Sequence, residues 1–311
     1  MCQSPPLRLT ILPAWEGRTV ESVLRQEFHL SRRQIVALKK NNGLFLAGNP
    51  VRAKTVLQSF HRGAELLIRF PLSPPPAISG EKLDLAILYE DPDLIVVNKP
   101  AGLLVHPVRY HLTGTLANAL IYHWQSKGEQ AAVHPVHRLD QTTSGILLIA
   151  KSSWVHQQIS LELQQGAVKR HYLAITEGAP PRESGLINAA IKKETTGIKR
   201  VIAPDGQPAL TRYRVLRRNS RAALLLVKLI TGRTHQIRVH LSALAAPLWG
   251  DPLYGRPDSA FPRPALHAVS LGFRHPRDRR LIKLKAPLPA DFIKLGVSLA
   301  LLPEKFATGL K

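Results

Sequence analysis

The strongest constraint in this chain is a polar turn that runs directly into an apolar strand. His134-Pro135-Val136-His137-Arg138-Leu139-Asp140-Gln141-Thr142-Thr143-Ser144-Gly145 is followed by Ile146-Leu147-Leu148-Ile149-Ala150-Lys151. The apolar residues follow one another without alternation, as in a short strand buried on both faces, and Gly145 and Lys151 bound the run. Asp140 then sits at the mouth of a core, where a carboxylate is both held in place and open to a substrate. An Asp beside Thr and Ser ordinarily caps a backbone N–H in a turn. Arg138, two residues away, and a second basic cluster further along give this one another use.

Ahead of this stretch the chain reads as a small α+β module over residues 1–70. Residues 7–12 look like a strand. Val20, Val23, Leu24 and Phe28 follow helical spacing, and Ser31 has the chemistry of an N-cap for a helix containing Ile35, Val36 and Leu38. Residues 43–51 read as a strand, a Gly-Asn turn and a second strand, and residues 63–70 as another. Residues 71–82 form a linker with four prolines, Pro71, Pro74, Pro75 and Pro76. Prolines favour an extended spacer, so the two parts are expected to be held apart without being independent.

In residues 83–311 strands outnumber helices. Residues 85–97 give strand, Asp-Pro-Asp turn and strand. Helical periodicity appears at 116–124, 154–163 and about 234–244, and strands at 168–175 and 222–230. With no Gly-rich phosphate loop, the expected fold class is α+β, built on a mixed, mainly antiparallel sheet.

Charge narrows the partners. Forty-three Lys and Arg against 21 Asp and Glu give +22 and a sequence pI near 10.7. Such self-repulsion calls for a polyanion, and nucleic acid is the first expectation. No basic amphipathic helix of the interfacial kind appears, and no apolar run nears the roughly 18 residues of a spanning helix, so no membrane partner is expected. The first residues lack the charged-then-apolar order of a signal peptide, and the single cysteine, Cys2, suits a reducing compartment. The expected location is the cytoplasm.

Two segments carry complementary chemistry: Asp140 with Arg138, and the later cluster Arg233, His235, Gln236, Arg238 and His240. A carboxylate beside a guanidinium is favoured in its charged form, and an ionised, positioned Asp can serve as nucleophile or base at an anomeric carbon. The pairs His134/His137 and His235/His240 lack the cysteines or the Glu spacing of metal sites, so no metal is expected.

The run His137-Arg138-Leu139-Asp140-x-x-Thr143-Ser144-Gly145 resembles the signature of RluA-type pseudouridine synthases. Further motifs follow in family order: Asn98-Lys99-Pro100-Ala101-Gly102, Lys169-Arg170-His171-Tyr172-Leu173-Ala174, Gly232-Arg233-Thr234-His235-Gln236-Ile237-Arg238 and Gly250-Asp251-Pro252-Leu253-Tyr254-Gly255. The resemblance spans about residues 84–285. It implies isomerisation of uridine to pseudouridine in RNA, with cleavage of the N1–C1′ bond, rotation of the uracil and rejoining through C5, and without a cofactor. Asp140 is implied as the catalytic carboxylate, Tyr172 as the ring that stacks on the base, and Arg238 as the arginine that pairs with the aspartate. Arg138 would fill the gap left by a flipped uridine, Ile237 would pack on the base, and Arg233 and His137 would line the substrate site. Flipping is required because C1′ and C5 cannot be worked on inside a stack.

Residues 1–70 resemble an S4-type RNA-binding domain, with Arg18-Thr19-Val20, Leu30-Ser31-Arg32 and the 43–51 hairpin at matching places. Arg32, Arg33, Lys39, Lys40 and Arg52 would then contact phosphates. The implied substrate is large-subunit ribosomal RNA first and transfer RNA second, acted on by a monomer. A non-catalytic RNA-binding assembly factor on the same fold is the alternative. Val108-Arg109-Tyr110 and Ala245-Ala246 depart from the family pattern and are expected to flank the cleft mouth.

Overall fold

The computed structural model describes residues 5–71 and 78–304. In chain order it begins with β1 (Leu7–Thr10), α1 (Val20–Gln26), α2 (Arg32–Lys40), β2 (Leu44–Leu46), β3 (Asn49–Pro50) and β4 (Glu65–Ile68). The four strands form an antiparallel sheet in the order β1-β4-β2-β3. Helix α2 starts where the sequence expects it. The Ser31 hydroxyl accepts the Gln34 N–H at 3.3 Å, and the Gln34 side-chain oxygen accepts the Ser31 N–H at 2.8 Å, a reciprocal cap that satisfies two end donors. Ile35 and Leu38, three residues apart, share the buried face, whereas Val36 lies a third of a turn away and is exposed.

The larger sheet draws on β5 (Ile87–Glu90), β6 (Leu94–Lys99), β7 (His134–Pro135), β8 (Ser144–Ala150), β9 (Lys169–Glu177), β10 (Ser184–Asn188), β13 (Leu210–Arg218), β14 (Ala222–Leu229), β15 (Leu266–Arg274) and β16 (Leu281–Lys285). Its main path runs β10-β13-β14-β9-β15-β8-β6-β5, with β16 beside β15 and β7 beside β8. A separate hairpin joins β11 (Ile191–Lys193) to β12 (Arg200–Ile202). The helices are α3 (Leu116–Ser126), α4 (Ser153–Gln164), α5 (Gln236–Ala243) and α6 (Ala290–Ser298). The expected α+β fold with a mixed, mainly antiparallel sheet is the observed one; among the described residues β8 and β15 are the one pair of strands in parallel register, beside an isolated parallel bridge between Gly178 and Ala222. No helix among these residues is long and apolar enough to cross a membrane.

Strand β8 is buried at all seven positions, as its unbroken apolar run requires. Ile146, Leu148 and Ala150 join one core with Trp154 and Ile159 of α4. Leu147 and Ile149 join another with Trp124 of α3, Tyr172 of β9 and Ile237 of α5. Each strand residue points opposite to the last, so one strand knits two cores together. At its start, Gly145 has φ +113°, and a Cβ there would fall 2.3 Å from the Ala268 carbonyl oxygen. Only glycine lets β8 approach β15 so closely.

The N-terminal sheet is not spaced away from the larger one. Phe70 stacks on Trp154 at 5.7 Å, and the Gln158 side chain donates to the Phe28 carbonyl at 2.7 Å. Arg277 grips Asp93 with two nitrogens (2.7 and 2.6 Å) and donates to the carbonyls of Pro6 and Pro5. Apolar burial between the two sheets outweighs the stiffness expected of the proline segment, of which residues 72–77 lie outside the described residues.

Glu90 ties β5 to α3. Its carboxylate meets His123 and Lys127 at 2.9 Å, the Trp124 indole at 3.1 Å and the buried Lys151 at 2.9 Å. Burial pushes the carboxyl up, but hydrogen bonds from Lys151, His123 and Lys127 outweigh that and hold it at about 2. A depressed carboxyl contributes stability above its unfolded value of 4.5, and that contribution is lost as pH falls towards about 2. Glu90→Gln is expected to lower unfolding free energy at pH 7 by on the order of 2 kcal/mol after allowance for solvent screening. In denaturant titrations the difference from wild type should shrink steadily between about pH 4.5 and 2.

Candidate active site

Asp140 sits in the turn between β7 and β8, and this turn is fixed from below by Lys99. Lys99 is the last residue of β6, fully buried, and its Nζ donates to the carbonyls of Pro100, Leu103 and Gln141, each at 2.9 Å. Three acceptors use all three ammonium hydrogens. Burial pulls Lys99 down to about 7, against the Asp140 charge, which favours the ammonium. The Gly102 N–H and the Gln141 side chain add two further links between the turns, at 2.9 and 3.0 Å. Asp140 is therefore placed by backbone anchoring on both sides rather than by its own side chain.

Arg238, on the first turns of α5, is buried and lies 3.5 Å from Asp140 through Nη1. Its tighter partner is Asp251. Nε and Nη2 donate to the two Asp251 oxygens at 2.8 and 2.7 Å, the fork-on-carboxylate geometry that arginine favours. Asp251 is fully buried and also accepts the N–H groups of Leu253 and Tyr254. The arginine expected to pair with Asp140 is thus a bridge, clamped by one carboxylate and presented to the other.

The remaining walls come from β9, β14 and α5. Tyr172 is buried, with its phenol pushed up by burial. It lines a small recess together with Asp140, Ile237 and Arg238. Arg138 and Arg233 are exposed and stand on the rim, lining both this recess and a wider groove of about 540 Å³ beside it. The 231–233 turn is held by Gln236. Its side-chain oxygen accepts from the Arg233 N–H and the Thr231 hydroxyl, and its Nε2 donates to Leu210 and Thr211. His235, with φ +57°, turns the chain into α5 and meets the Tyr254 hydroxyl at 2.8 Å. A non-glycine residue in that region carries strain, here beside the recess.

His137 is buried, pushed down to about 3 by burial with Arg170 adding to the shift, and its Nε2 accepts the Leu148 N–H at 3.3 Å, while the residue still lines the wider groove. A neutral imidazole so placed braces the turn. One expectation needs correction. Ala245 and Ala246 do not flank the mouth but close the far end of α5, where Ala245 takes φ +55° and the Ala246 N–H donates to Leu241. The 108–110 segment is an exposed turn. Its neighbour His106 is pulled down by burial and then by Arg138, which puts the root of this turn close to the rim.

Of the basic residues on the N-terminal module, Arg32, Arg33, Lys40 and Arg52 are exposed and have no carboxylate partner among the described residues. Lys39 is taken up by Glu21 at 2.6 Å. Neither His134/His137 nor His235/His240 belongs to a cluster of three or more potential ligands among the described residues. Asp91, Asp93 and His275 do lie together, but Arg277 and Arg280 already neutralise them.

A model of the RNA pseudouridylate synthase family matches residues 93–243. The chain is 41% identical over 292 residues to YhcT of Bacillus subtilis, named an uncharacterized RNA pseudouridine synthase, covering 93% of this chain and 96% of that protein. It is 36% identical over 295 residues to the ribosomal large subunit pseudouridine synthase D of Pseudomonas aeruginosa, covering 90% and 91%. This chain belongs to the RNA pseudouridylate synthase family. Among solved structures, human RNA pseudouridylate synthase domain containing 1 superposes with a TM-score of 0.55 at 30% identity, over 68% of this chain and 86% of that one.

Three further residues of this synthase's candidate site have no role that their local sequence announces. Asp251 stood in a motif, yet nothing local to Gly250–Gly255 signals a clamp on a helix nearby in space. Lys99 followed an apolar run, and its burial was the available signal. Arg170 shares a strand face with Tyr172, donates to the Thr231 carbonyl at 3.2 Å, and has a buried Nε without a partner beside the groove. Asp251→Ala is expected to cost about 3–5 kcal/mol of stability, because it strands a buried guanidinium. Asp140→Ala should change stability far less, since Arg238 keeps its closer partner. Chemical denaturation of both variants separates the two carboxylates.

Proposed function

We propose that this synthase modifies uridines in large-subunit ribosomal RNA, with Asp140 acting on the ribose. The observation that carries the reading is the recess itself. A partly exposed carboxylate stands at its mouth, a buried guanidinium lies 3.5 Å away, and Tyr172 and Ile237 offer flat and apolar walls. These are the groups that a flipped pyrimidine nucleotide needs: a charged oxygen at C1′, a ring to stack on and an apolar backing.

In this reading Asp140 attacks C1′ or removes a ribose proton. Either route opens the N1–C1′ bond while Tyr172 keeps the freed uracil stacked as it turns. C5 then bonds to C1′ as Asp140 is released from it (or returns the proton it took to the ribose); the C5 proton leaves, with the Tyr172 hydroxyl nearby to assist, and N1 takes up a proton, so that nothing is gained or lost overall. Arg238 balances the negative charge of Asp140 before and after each step. The recess as it stands is about 40 Å³, room for a few waters rather than a pyrimidine. Entry of the base therefore requires the rim arginines to swing, and Arg138 is suited to fill the space vacated in the RNA. Arg233 contacts a flanking phosphate, and no metal or organic cofactor takes part.

The division into a 1–70 S4-like module, a 71–82 linker and an 83–311 catalytic domain belongs to the same proposal, as do a monomeric state and a cytoplasmic location. The ribosomal substrate is favoured over transfer RNA because the Pseudomonas aeruginosa relative named for the ribosomal large subunit aligns over 90% of this chain.

Asp140→Asn is expected to abolish pseudouridine formation in transcribed large-subunit RNA while RNA affinity stays within a few-fold; retained activity would remove Asp140 from the chemistry. Replacing Arg32, Arg33, Lys40 and Arg52 together by Gln should reduce the slope of log Kd against log salt by roughly three, at about 0.7–0.9 per phosphate contact. An unchanged slope would mean that the N-terminal module does not hold RNA.

A further inference from the structure

The face of the sheet turned away from the recess carries a row of basic and polar residues, with Arg212, Lys228 and Lys285 as its cations. Arg170 and Tyr172 point towards the groove, so His171 between them points the other way. Strand register places Arg212 beside Lys228, Lys228 beside His171, His171 beside Ser270, and Ser270 beside Lys285. The row thus crosses β13, β14, β9, β15 and β16 in one line. The His171 ring lies 3.2 Å from the Ser270 hydroxyl. Burial lowers the His171 pKa, and Lys228 and Lys169 lower it further, so both lysines face it.

Like charges directly opposite one another across strands are destabilising. Some exposed cations on other strands are relieved by carboxylates: Arg8 by Glu65, Lys192 by Asp205, Arg218 by Glu183. Along this row no carboxylate partner appears among the described residues. Helix α6 covers the same face further along, where Phe292 packs on Ile175 and Leu224, but leaves the cations uncovered. Arg212, Lys228 and His171 line an open groove of about 510 Å³ whose floor includes Leu226 and Leu186.

We propose that this row is a second RNA-binding surface, which holds the phosphodiester backbone of the substrate away from the uridine being modified. A single phosphate would need cations that converge. Here four inter-strand steps of about 4.8 Å spread them over roughly 20 Å, which suits a polymer. The surface is remote from the recess by a whole sheet thickness, so it contributes affinity and register without touching the chemistry. It rests on RNA being the substrate, and on no particular modified position.

The test uses the full-length protein and transcribed large-subunit ribosomal RNA. The double variant R212Q/K228Q should lower the slope of log Kd against log salt by roughly 1.5, at 0.7–0.9 per contact. In turnover it should raise KM several-fold and leave kcat unchanged. The double variant R221Q/K294Q, with the same loss of charge at exposed positions outside the row, should keep the wild-type slope. An unchanged slope in R212Q/K228Q, or an equal fall in the control, would overturn the proposal. So would a loss of binding to phosphatidylglycerol vesicles with RNA binding intact, which would make the row a membrane surface. The slope reads binding alone and is decided separately from whether the transcript is modified.

Discussion

Arg238 is a buried guanidinium that must have a carboxylate, and Asp251 supplies it with both oxygens. Burying such a pair costs desolvation, which only good geometry and further hydrogen bonds repay. The Leu253 and Tyr254 N–H groups complete the shell around Asp251. What the protein gains is a fixed positive charge facing Asp140, held by something other than Asp140. Because the clamp exists without it, Asp140 remains partly exposed and free to change partners.

The same separation of holding from reacting recurs around the recess. Lys99 fixes the Asp140 turn through three carbonyls, Gln236 fixes the Arg233 turn, and His137 braces the start of β8. All three are buried. Arg138 and Arg233 are exposed on the rim, and Asp140 is partly exposed at the mouth. The groups that fix the turns thus lie inside, and the solvent-facing ones lie outside.

The two sheets also share a load. The N-terminal sheet lays apolar surface on α4 and is pinned by Arg277 through Asp93 and the carbonyls of Pro5 and Pro6. A composition rich in proline predicts a spacer between them, but composition does not reveal the complementary apolar faces on either side. Docked in this way, the basic surface of α2 and the row across β13–β16 belong to one body. A long RNA could be gripped at several places at once.

Much of the fold was legible because it rests on local rules. The Ser31 cap, the β8 run and the strand alternation of β9 each follow from the spacing of a few residues, and they appear where expected. The candidate site was legible as a set of residue types, Asp140, Tyr172 and Arg238, whose motifs lie on separate stretches and which line one recess. Partnership was not. That Arg238 belongs first to Asp251, that Lys99 reaches across to Gln141, and that His137 turns inward are facts about chain segments 11 to 42 positions apart in sequence. The basic row likewise appears only when five strands are laid in register. Sequence by itself determined which chemistry the chain carries; packing decided which charges meet, because hydrogen-bond distances are set by tertiary contacts that no single stretch contains.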